Sequence, residues 1–203
     1  MYKRLITFGD SWTAGHGVET QVQYKEVIDC GLFINTLRNS NGWPRYLSQH
    51  YDVPFVNLGV CNYSNPEIIQ SIKQNIKYLS KNDLIVIMLS YAFRGEGQPE
   101  QDIPEINKLL QNYNYYIVNS FYPTFKEVPQ HIIDSLDISR FITPGMTMAE
   151  FLIHYEKVHD ISVWEYSCRK VNELGSFLGG DFHPNTLGYK TIAWELYNRL
   201  PKK

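Results

Sequence analysis

Four short apolar runs divide the chain into a regular series of elements. A nearly continuous apolar run is typical of a parallel strand that is covered on both faces. The clearest of them, residues 83–89, reads Asp-Leu-Ile-Val-Ile-Met-Leu. On this pattern we predict strands at residues 3–8, 54–58, 83–89 and 115–119.

Helical patterns lie between and after these strands. Ile69, Ile72, Ile76 and Leu79 recur at helical spacing, and Ser64 or Asn65 can cap that helix ahead of Pro66. Pro44 suits the first turn of an earlier helix that ends near His50. Further helices are predicted at residues 33–37, 105–111, 130–136, 148–157, 163–174 and 186–200.

The alternation of strands and helices defines the fold class. It predicts a three-layer α/β/α sandwich with a central parallel sheet, formed by a single domain over residues 1–203. Two stretches, 91–104 and 121–160, interrupt the pattern and read as largely irregular. Long irregular stretches often carry function, so we expect a substrate lid or an oligomer contact there.

Composition narrows the range of partners. With 43% hydrophobic and 20% charged residues the chain is expected to be globular. A net charge of −2 gives no electrostatic reason for a nucleic acid or an anionic membrane as partner. No signal peptide and no long apolar span is evident, and three cysteines lack metal or redox spacing. We therefore expect a cytoplasmic protein with reduced thiols and neither metal nor cofactor.

Candidate catalytic residues lie near the two ends of the chain. The first strand runs into Gly9, Asp10 and Ser11, which places a serine hydroxyl at the carboxyl edge of the sheet. Near the C-terminus stand Asp181 and His183. A serine hydroxyl becomes a useful nucleophile when a histidine takes its proton, and an aspartate can orient that histidine. Asp10 is expected to hydrogen-bond the backbone of its own turn.

These segments together resemble the SGNH, or GDSL, hydrolase family. The first motif is matched by Gly9, Asp10 and Ser11, a middle one by Gly59 after the second strand, and the last by Asp181 with His183 and Pro184. The resemblance spans nearly the whole chain in the family's order. It implies a flavodoxin-like fold and a metal-independent serine hydrolase that cleaves carboxylic esters, with acetyl groups on saccharides among the candidate substrates.

The resemblance also implies an oxyanion hole, with one donor missing. The expected donors are the backbone N–H groups of Ser11 and Gly59 and an asparagine that follows the third strand. Here residues 90–94 read Ser-Tyr-Ala-Phe-Arg, without that asparagine. The nearest substitutes are Asn62, Asn65 and Arg94. We predict Asn62 as the donor, Arg94 as a substrate-binding residue, and turn or cap chemistry for Asn65.

The acid of the triad departs from the family pattern as well. In most members it lies three residues before the histidine, where this chain has Gly180. Asp181 lies two before and is the nearest acid, with Asp160 and Glu165 as remote alternatives.

These departures keep a second hypothesis open. The chain would then be a binding or structural protein that retains the fold with impaired catalysis. Short variant hydrolases of tailed phages look similar, so association with a virion or with further copies of the chain is part of this alternative.

Overall fold

The computed structural model describes residues 1–15, 42–91, 94–120, 128–143, 146–155 and 183–202. Within these ranges four parallel strands form one sheet in the order β2-β1-β3-β4. Each predicted strand is confirmed to within one residue at either end. The strands are β1 (Arg4–Gly9), β2 (Phe55–Gly59), β3 (Asp83–Leu89) and β4 (Asn114–Asn119).

Helices flank this sheet. The Pro44 prediction is confirmed, because that proline lies in the first turn of its helix. The helices predicted at 33–37 and 163–174 lie outside the described residues. Those that are described are α1 (Ser11–Ala14), α2 (Trp43–Tyr51), α3 (Asn65–Asn75), α4 (Pro99–Leu110), α5 (Gln130–Ile133), α6 (Met148–Tyr155) and α7 (Thr186–Arg199).

Two hydrophobic cores lie on opposite faces of the sheet, and β3 contributes to both. Leu84, Val86 and Met88 face a core shared with α2, α6 and α7. Ile85 and Ile87 face a second core shared with α3 and α4. This alternation along a fully buried strand confirms the three-layer α/β/α sandwich, because both faces of the sheet are covered by helices.

The start of α4 corrects the sequence-based prediction. We expected a loop over 91–104 and a helix from Glu105, whereas the helix begins at Pro99 and contains Pro104. A proline inside a helix removes one backbone hydrogen bond. Here Ile103 and Ile106 are completely buried, and that burial outweighs the lost bond. The second irregular stretch holds a shorter helix than predicted, α5, which ends at Ile133.

The order of the strands determines where a site can form. The chain passes from β1 to β2 on one side, and then crosses to β3 on the other side. Such a reversal opens a crevice at the carboxyl ends of the strands. Gly9 at the end of β1 lies between Gly59 of β2 and Met88 of β3. Among the described residues, no helix is both long and apolar enough to cross a membrane.

Candidate active site

Ser11 is the first residue of the short helix α1, directly beyond β1. Asp10 caps this helix, and its carboxylate accepts a hydrogen bond from the backbone N–H of Trp12 at 3.0 Å. Gly15 ends the helix with φ +84°, a conformation that glycine adopts without strain. The expected structural role of Asp10 is therefore confirmed. The cap fixes the direction in which the chain leaves β1, and with it the position of Ser11.

Two glycines allow α1 to lie directly on the sheet. A Cβ atom at Gly9 would come within 2.1 Å of the Thr13 hydroxyl oxygen. A Cβ atom at Gly59 would come within 2.6 Å of the backbone nitrogen of Ala14. Side chains at either position would thus displace the helix that carries Ser11, which gives Gly59 a packing role independent of any oxyanion role.

Asn57 joins the second strand to α1, and the sequence analysis missed it. Its side-chain amide donates to the carbonyl of Thr13 at 2.7 Å. Its Oδ1 accepts from the Thr7 hydroxyl at 3.1 Å and from the Gly59 N–H at 2.9 Å. The available signal was a polar residue in the middle of an otherwise apolar strand, since a buried amide requires such partners.

His183 and Ser11 meet across 172 residues of sequence. The His183 Nε2 lies 2.7 Å from the Ser11 Oγ, a hydrogen-bond distance. His183 stands just ahead of α7, whose cap Asn185 accepts from the Gly188 N–H at 3.0 Å. The capped helix packs against α2 and thereby anchors the segment that bears the histidine. Asp181, Asp160 and Glu165 lie outside the described residues.

The residues predicted around the oxyanion are partly engaged with one another. The Gly59 N–H donates to Asn57, so its role as an oxyanion donor stays a prediction that requires this bond to be shared or released. Asn65 does not cap α3, because Ser64 is the cap and its N–H donates to Glu67 at 2.7 Å. Instead, the Asn65 Oδ1 accepts from the backbone N–H of Ser90 at 2.9 Å.

Arg94 and Asn62 are hydrogen-bonded to each other. The Arg94 Nη2 donates to the Asn62 Oδ1 at 2.9 Å, and its Nη1 donates to the Ser90 hydroxyl oxygen at 3.3 Å. Asn62 has φ +68°, in the left-handed region where asparagine is better tolerated than most side chains. Ser90 is a further residue that sequence reasoning missed, although it directly follows a predicted strand.

Asp10 places a carboxyl group under this cluster. It is 4% exposed, and burial raises its pKa from 3.8 to about 6. Hydrogen bonds from the Trp12 backbone and the Ser90 hydroxyl, and the charge of Arg94, act in the opposite direction. The Arg94 Nη1 stands 3.9 Å from the Asp10 Oδ2. The cation is therefore near the carboxylate but does not form a close hydrogen-bonded pair with it.

Solved structures with this fold are GDSL proteins and esterases. The chain matches a putative lipolytic protein of the G-D-S-L family from Desulfitobacterium hafniense at TM-score 0.54 and 16% identity, over 98% of this chain and 99% of that one. It matches an acetyl-xylooligosaccharide esterase of Geobacillus at TM-score 0.52 and 12% identity, over 97% and 93%. The protein thus has the fold of the GDSL, or SGNH, hydrolases.

The likeness is one of structure rather than sequence. A putative GDSL-like lipase from Parabacteroides merdae aligns at TM-score 0.55 with 11% identity, over 97% of this chain and 94% of that one. No protein-family model matches the sequence, and no curated protein matches it. The fold predicted from the sequence motifs is confirmed, while the activity has to be argued from the site itself.

Proposed function

We propose that the protein is a serine hydrolase that cleaves carboxylic esters. The observation that carries this proposal is the 2.7 Å contact between the Ser11 Oγ and the His183 Nε2. A serine and a histidine in this relation form the nucleophile and general base of acyl-transfer enzymes. Their position at the crevice between β1 and β3 supports the same conclusion, because open α/β sheets bind ligands at that edge.

In the proposed reaction Ser11 attacks the ester carbonyl carbon. His183 accepts the hydroxyl proton as the Oγ–C bond forms, and later delivers it to the departing alcohol. Water then hydrolyses the acyl-enzyme, with His183 again acting first as base. Asp181 is proposed to orient the imidazole, and the backbone N–H groups of Ser11 and Gly59 to stabilise the oxyanion together with a side-chain donor, for which the sequence analysis named Asn62.

The proposed substrate is an ester with a small acyl group, including acetyl groups on a saccharide. The sequence shows no long apolar segment suited to form a groove for a fatty chain. Two structural neighbours of comparable size point the same way: the Geobacillus acetyl-xylooligosaccharide esterase and a family 3 carbohydrate esterase from Clostridium thermocellum. Arg94 is proposed to contact the bound substrate.

Covalent labelling tests the proposal directly. A fluorophosphonate probe should label the wild-type protein at Ser11, and p-nitrophenyl acetate should be hydrolysed faster than p-nitrophenyl octanoate. Ser11→Ala should abolish both the labelling and the turnover. Ser120→Ala, which removes a buried serine just beyond β4, is the matched control and should retain both. Turnover that persists in pure Ser11→Ala protein would exclude this mechanism.

The rival function is a binding or structural protein with impaired catalysis. The observation that favours it is the Ser90 to Arg94 segment, which lacks the asparagine of the third family motif. Loss of one oxyanion donor typically costs about 2.7–4 kcal/mol of transition-state stabilisation. If the probe fails to label Ser11 and no short ester is hydrolysed, this second function becomes the better explanation of the fold.

A further inference from the structure

The segment after β3 carries a cation into the region where the missing donor should stand. Ser90 is 1% exposed and is fixed by its N–H bond to Asn65. Four residues later the backbone N–H of Arg94 donates to the carbonyl of Tyr91 at 3.1 Å, which turns the chain back. Gly95 follows with φ +65°. These contacts return the arginine side chain toward the end of β1.

Side chains from three separate segments surround the Arg94 guanidinium, two of them as hydrogen-bond acceptors and Asp10 as a nearby charge. Asn62 belongs to the segment after β2, Ser90 to the segment after β3, and Asp10 to the cap of α1. The Ser90 hydroxyl also hydrogen-bonds the Asp10 carboxylate, so it accepts from the arginine while it donates to the acid. A guanidinium bound on several sides has lost much of its rotamer freedom before a ligand arrives.

Arg94 nevertheless retains capacity to donate. A guanidinium has five N–H groups, and the described partners of Arg94 accept from its two terminal nitrogens, one bond each. Its side chain is 35% exposed, while that of Asp10 is 6% exposed. The cation is thus anchored from the protein side, and part of it faces outward beside the residue that precedes Ser11.

The bond between Asn62 and Arg94 gives the asparagine a positioning role, and its Nδ2 group keeps its two N–H donors. The Asn62 carbonyl oxygen faces the guanidinium and accepts from it. Asn62 is also an exposed residue, unlike Ser90 and Asp10. In this arrangement Asn62 positions the arginine, whereas our sequence-based prediction had the asparagine amide donate to the oxyanion.

We propose that Arg94 is the side-chain oxyanion donor of this site, positioned by Asn62, Ser90 and Asp10. The inference rests on the proposed hydrolase function. As the Ser11 Oγ–C bond forms and the proton passes to His183, the carbonyl π electrons move onto oxygen, and a guanidinium N–H stabilises that charge. When the intermediate collapses, the electron pair returns and the alcohol leaves with the proton from His183.

A cationic oxyanion donor should make the site bind anionic ligands more tightly relative to neutral ones. Charge-assisted hydrogen bonds are roughly twice as strong as neutral ones, so the gain from Arg94 is largest when the ligand oxygen is fully anionic. The site should therefore bind tetrahedral anionic adducts much more tightly than neutral esters. A contact of this kind raises kcat and has little influence on KM.

The test compares four variants under conditions where wild-type turnover and Ser11 labelling have been established. Arg94→Ala should lower kcat for p-nitrophenyl acetate by about 10²–10³-fold with KM changed by less than about threefold. Added methylguanidinium should restore part of that kcat. Arg94→Lys should keep the fold and lose about tenfold, because an ammonium lacks the planar fork.

Two further variants distinguish the loss of the donor from the loss of a residue that positions it and from the loss of a remote arginine. Asn62→Gly removes the side chain without backbone strain at φ +68° and should cost about tenfold or less. Arg199→Ala is the matched control, since Arg199 ends the 14-residue α7 about 20 Å along the axis from its start, and it should leave kcat unchanged.

The possible outcomes are distinct. A raised KM with unchanged kcat in Arg94→Ala would assign the arginine to ground-state binding and overturn the inference. A larger kcat loss in Asn62→Gly than in Arg94→Ala would restore the asparagine as donor. In both cases Ser11 labelling persists and the hydrolase function stands. Absence of labelling and turnover in the wild-type protein would overturn both proposals together.

Discussion

The amino ends and the carboxyl ends of the parallel strands, called here the amino edge and the carboxyl edge of the sheet, each carry an arginine and an aspartate. The two pairs differ in their hydrogen bonding. At the amino edge Arg4 of β1 and Asp83 of β3 are direct neighbours in register. The Arg4 Nε and Nη2 donate to the two carboxylate oxygens at 3.0 and 2.9 Å. The Ser80 N–H adds a third bond at 2.7 Å. This is a bidentate, fully engaged pair in which Asp83 is completely buried.

At the carboxyl edge the corresponding pair is open. Arg94 stands 3.9 Å from Asp10 and makes its hydrogen bonds to neutral oxygens of Asn62 and Ser90 instead. The amino edge uses its charges to lock two strands together. The carboxyl edge leaves Arg94 without a close ion pair to Asp10, the residue that precedes Ser11. The two carboxylate oxygens of Asp83 are thus both bound by Arg4, whereas Asp10 and Arg94 remain too far apart for a direct hydrogen bond, as our proposal for Arg94 requires.

The largest expected effect is a loss of activity at the carboxyl edge when His183 is replaced. His183→Ala should lower kcat by about 10⁴-fold or more, about 5 kcal/mol, because the nucleophile and its base act as a unit. The melting temperature should change little, since His183 lies in the segment ahead of α7 and outside both cores. Steady-state kinetics with p-nitrophenyl acetate measure this. Kinetics close to those of the wild type would exclude His183 as the base.

Asp181→Asn is expected to be milder than His183→Ala, given its shifted spacing from the histidine. The same assay measures it. Wild-type kinetics in Asp181→Asn would direct the search toward another acid.

Much of the fold could be predicted because it depends on local patterns. The apolar runs predicted β1 to β4, and the rule that sites form at the carboxyl ends of parallel strands predicted the position of Ser11. The closing helix was also predicted to within one residue of its end. The serine–histidine contact follows from motif resemblance combined with that topology, although 172 residues separate the partners.

The remaining features depend on side chains that meet across loops. No periodicity indicates that the Asn57 amide reaches Thr13, or that Asn62 faces Arg94. Both contacts are fixed by how the segments after the strands turn. The start of α4 was predicted too late because Pro104 was taken to precede the helix. The burial of the neighbouring isoleucines, which stabilises the helix around Pro104, depends on tertiary packing and is not visible in the local sequence.

The amino-edge pair should be broken by Asp83→Ala. The variant leaves Arg4 without its bidentate partner and the Ser80 N–H without its acceptor. Removing one partner of a fully buried pair typically costs about 3–5 kcal/mol, and because the Arg4 side chain is 24% exposed we expect a loss of about 3 kcal/mol in urea denaturation. The kcat of the remaining folded protein should match the wild type. A selective loss of kcat without a loss of stability would contradict the structural role of this edge.

Gly59→Ala tests the packing of α1 on the sheet. The added Cβ would lie 2.6 Å from the Ala14 nitrogen and 2.7 Å from the Thr13 carbonyl carbon, and backbone atoms cannot move aside independently. We expect a destabilisation of about 3 kcal/mol, at the upper end of ordinary overpacking, together with reduced labelling of Ser11. Gly95→Ala is a useful comparison, because its nearest neighbour is a Ser64 side-chain atom at 3.4 Å and its cost is mainly backbone strain.

The smallest effect concerns the pH dependence that Asp10 gives to the carboxyl edge. Its pKa of about 6 in the folded state exceeds the ordinary value of 3.8, so the folded protein binds this proton more tightly than the unfolded chain does. The stabilisation from this group is complete below about pH 4 and is lost as the pH rises to about 6. Asp10→Asn removes the dependence while its amide oxygen can still accept from Trp12. Relative to the wild type, the variant should therefore gain on the order of 2–3 kcal/mol of stability between pH 4 and 7.

Asp102 provides the matched comparison, because burial raises its pKa to about 6 as well, at the start of α4. Urea titrations at several pH values should show a change of the same sign for Asp102→Asn. Of the two variants, only Asp10→Asn should also change kcat and the low-pH side of the kcat–pH profile. Asp10, unlike Asp102, lies 3.9 Å from Arg94 and directly precedes Ser11. Equal kcat–pH profiles in the two variants would mean that the open pair at the carboxyl edge is as purely structural as the closed pair at the amino edge.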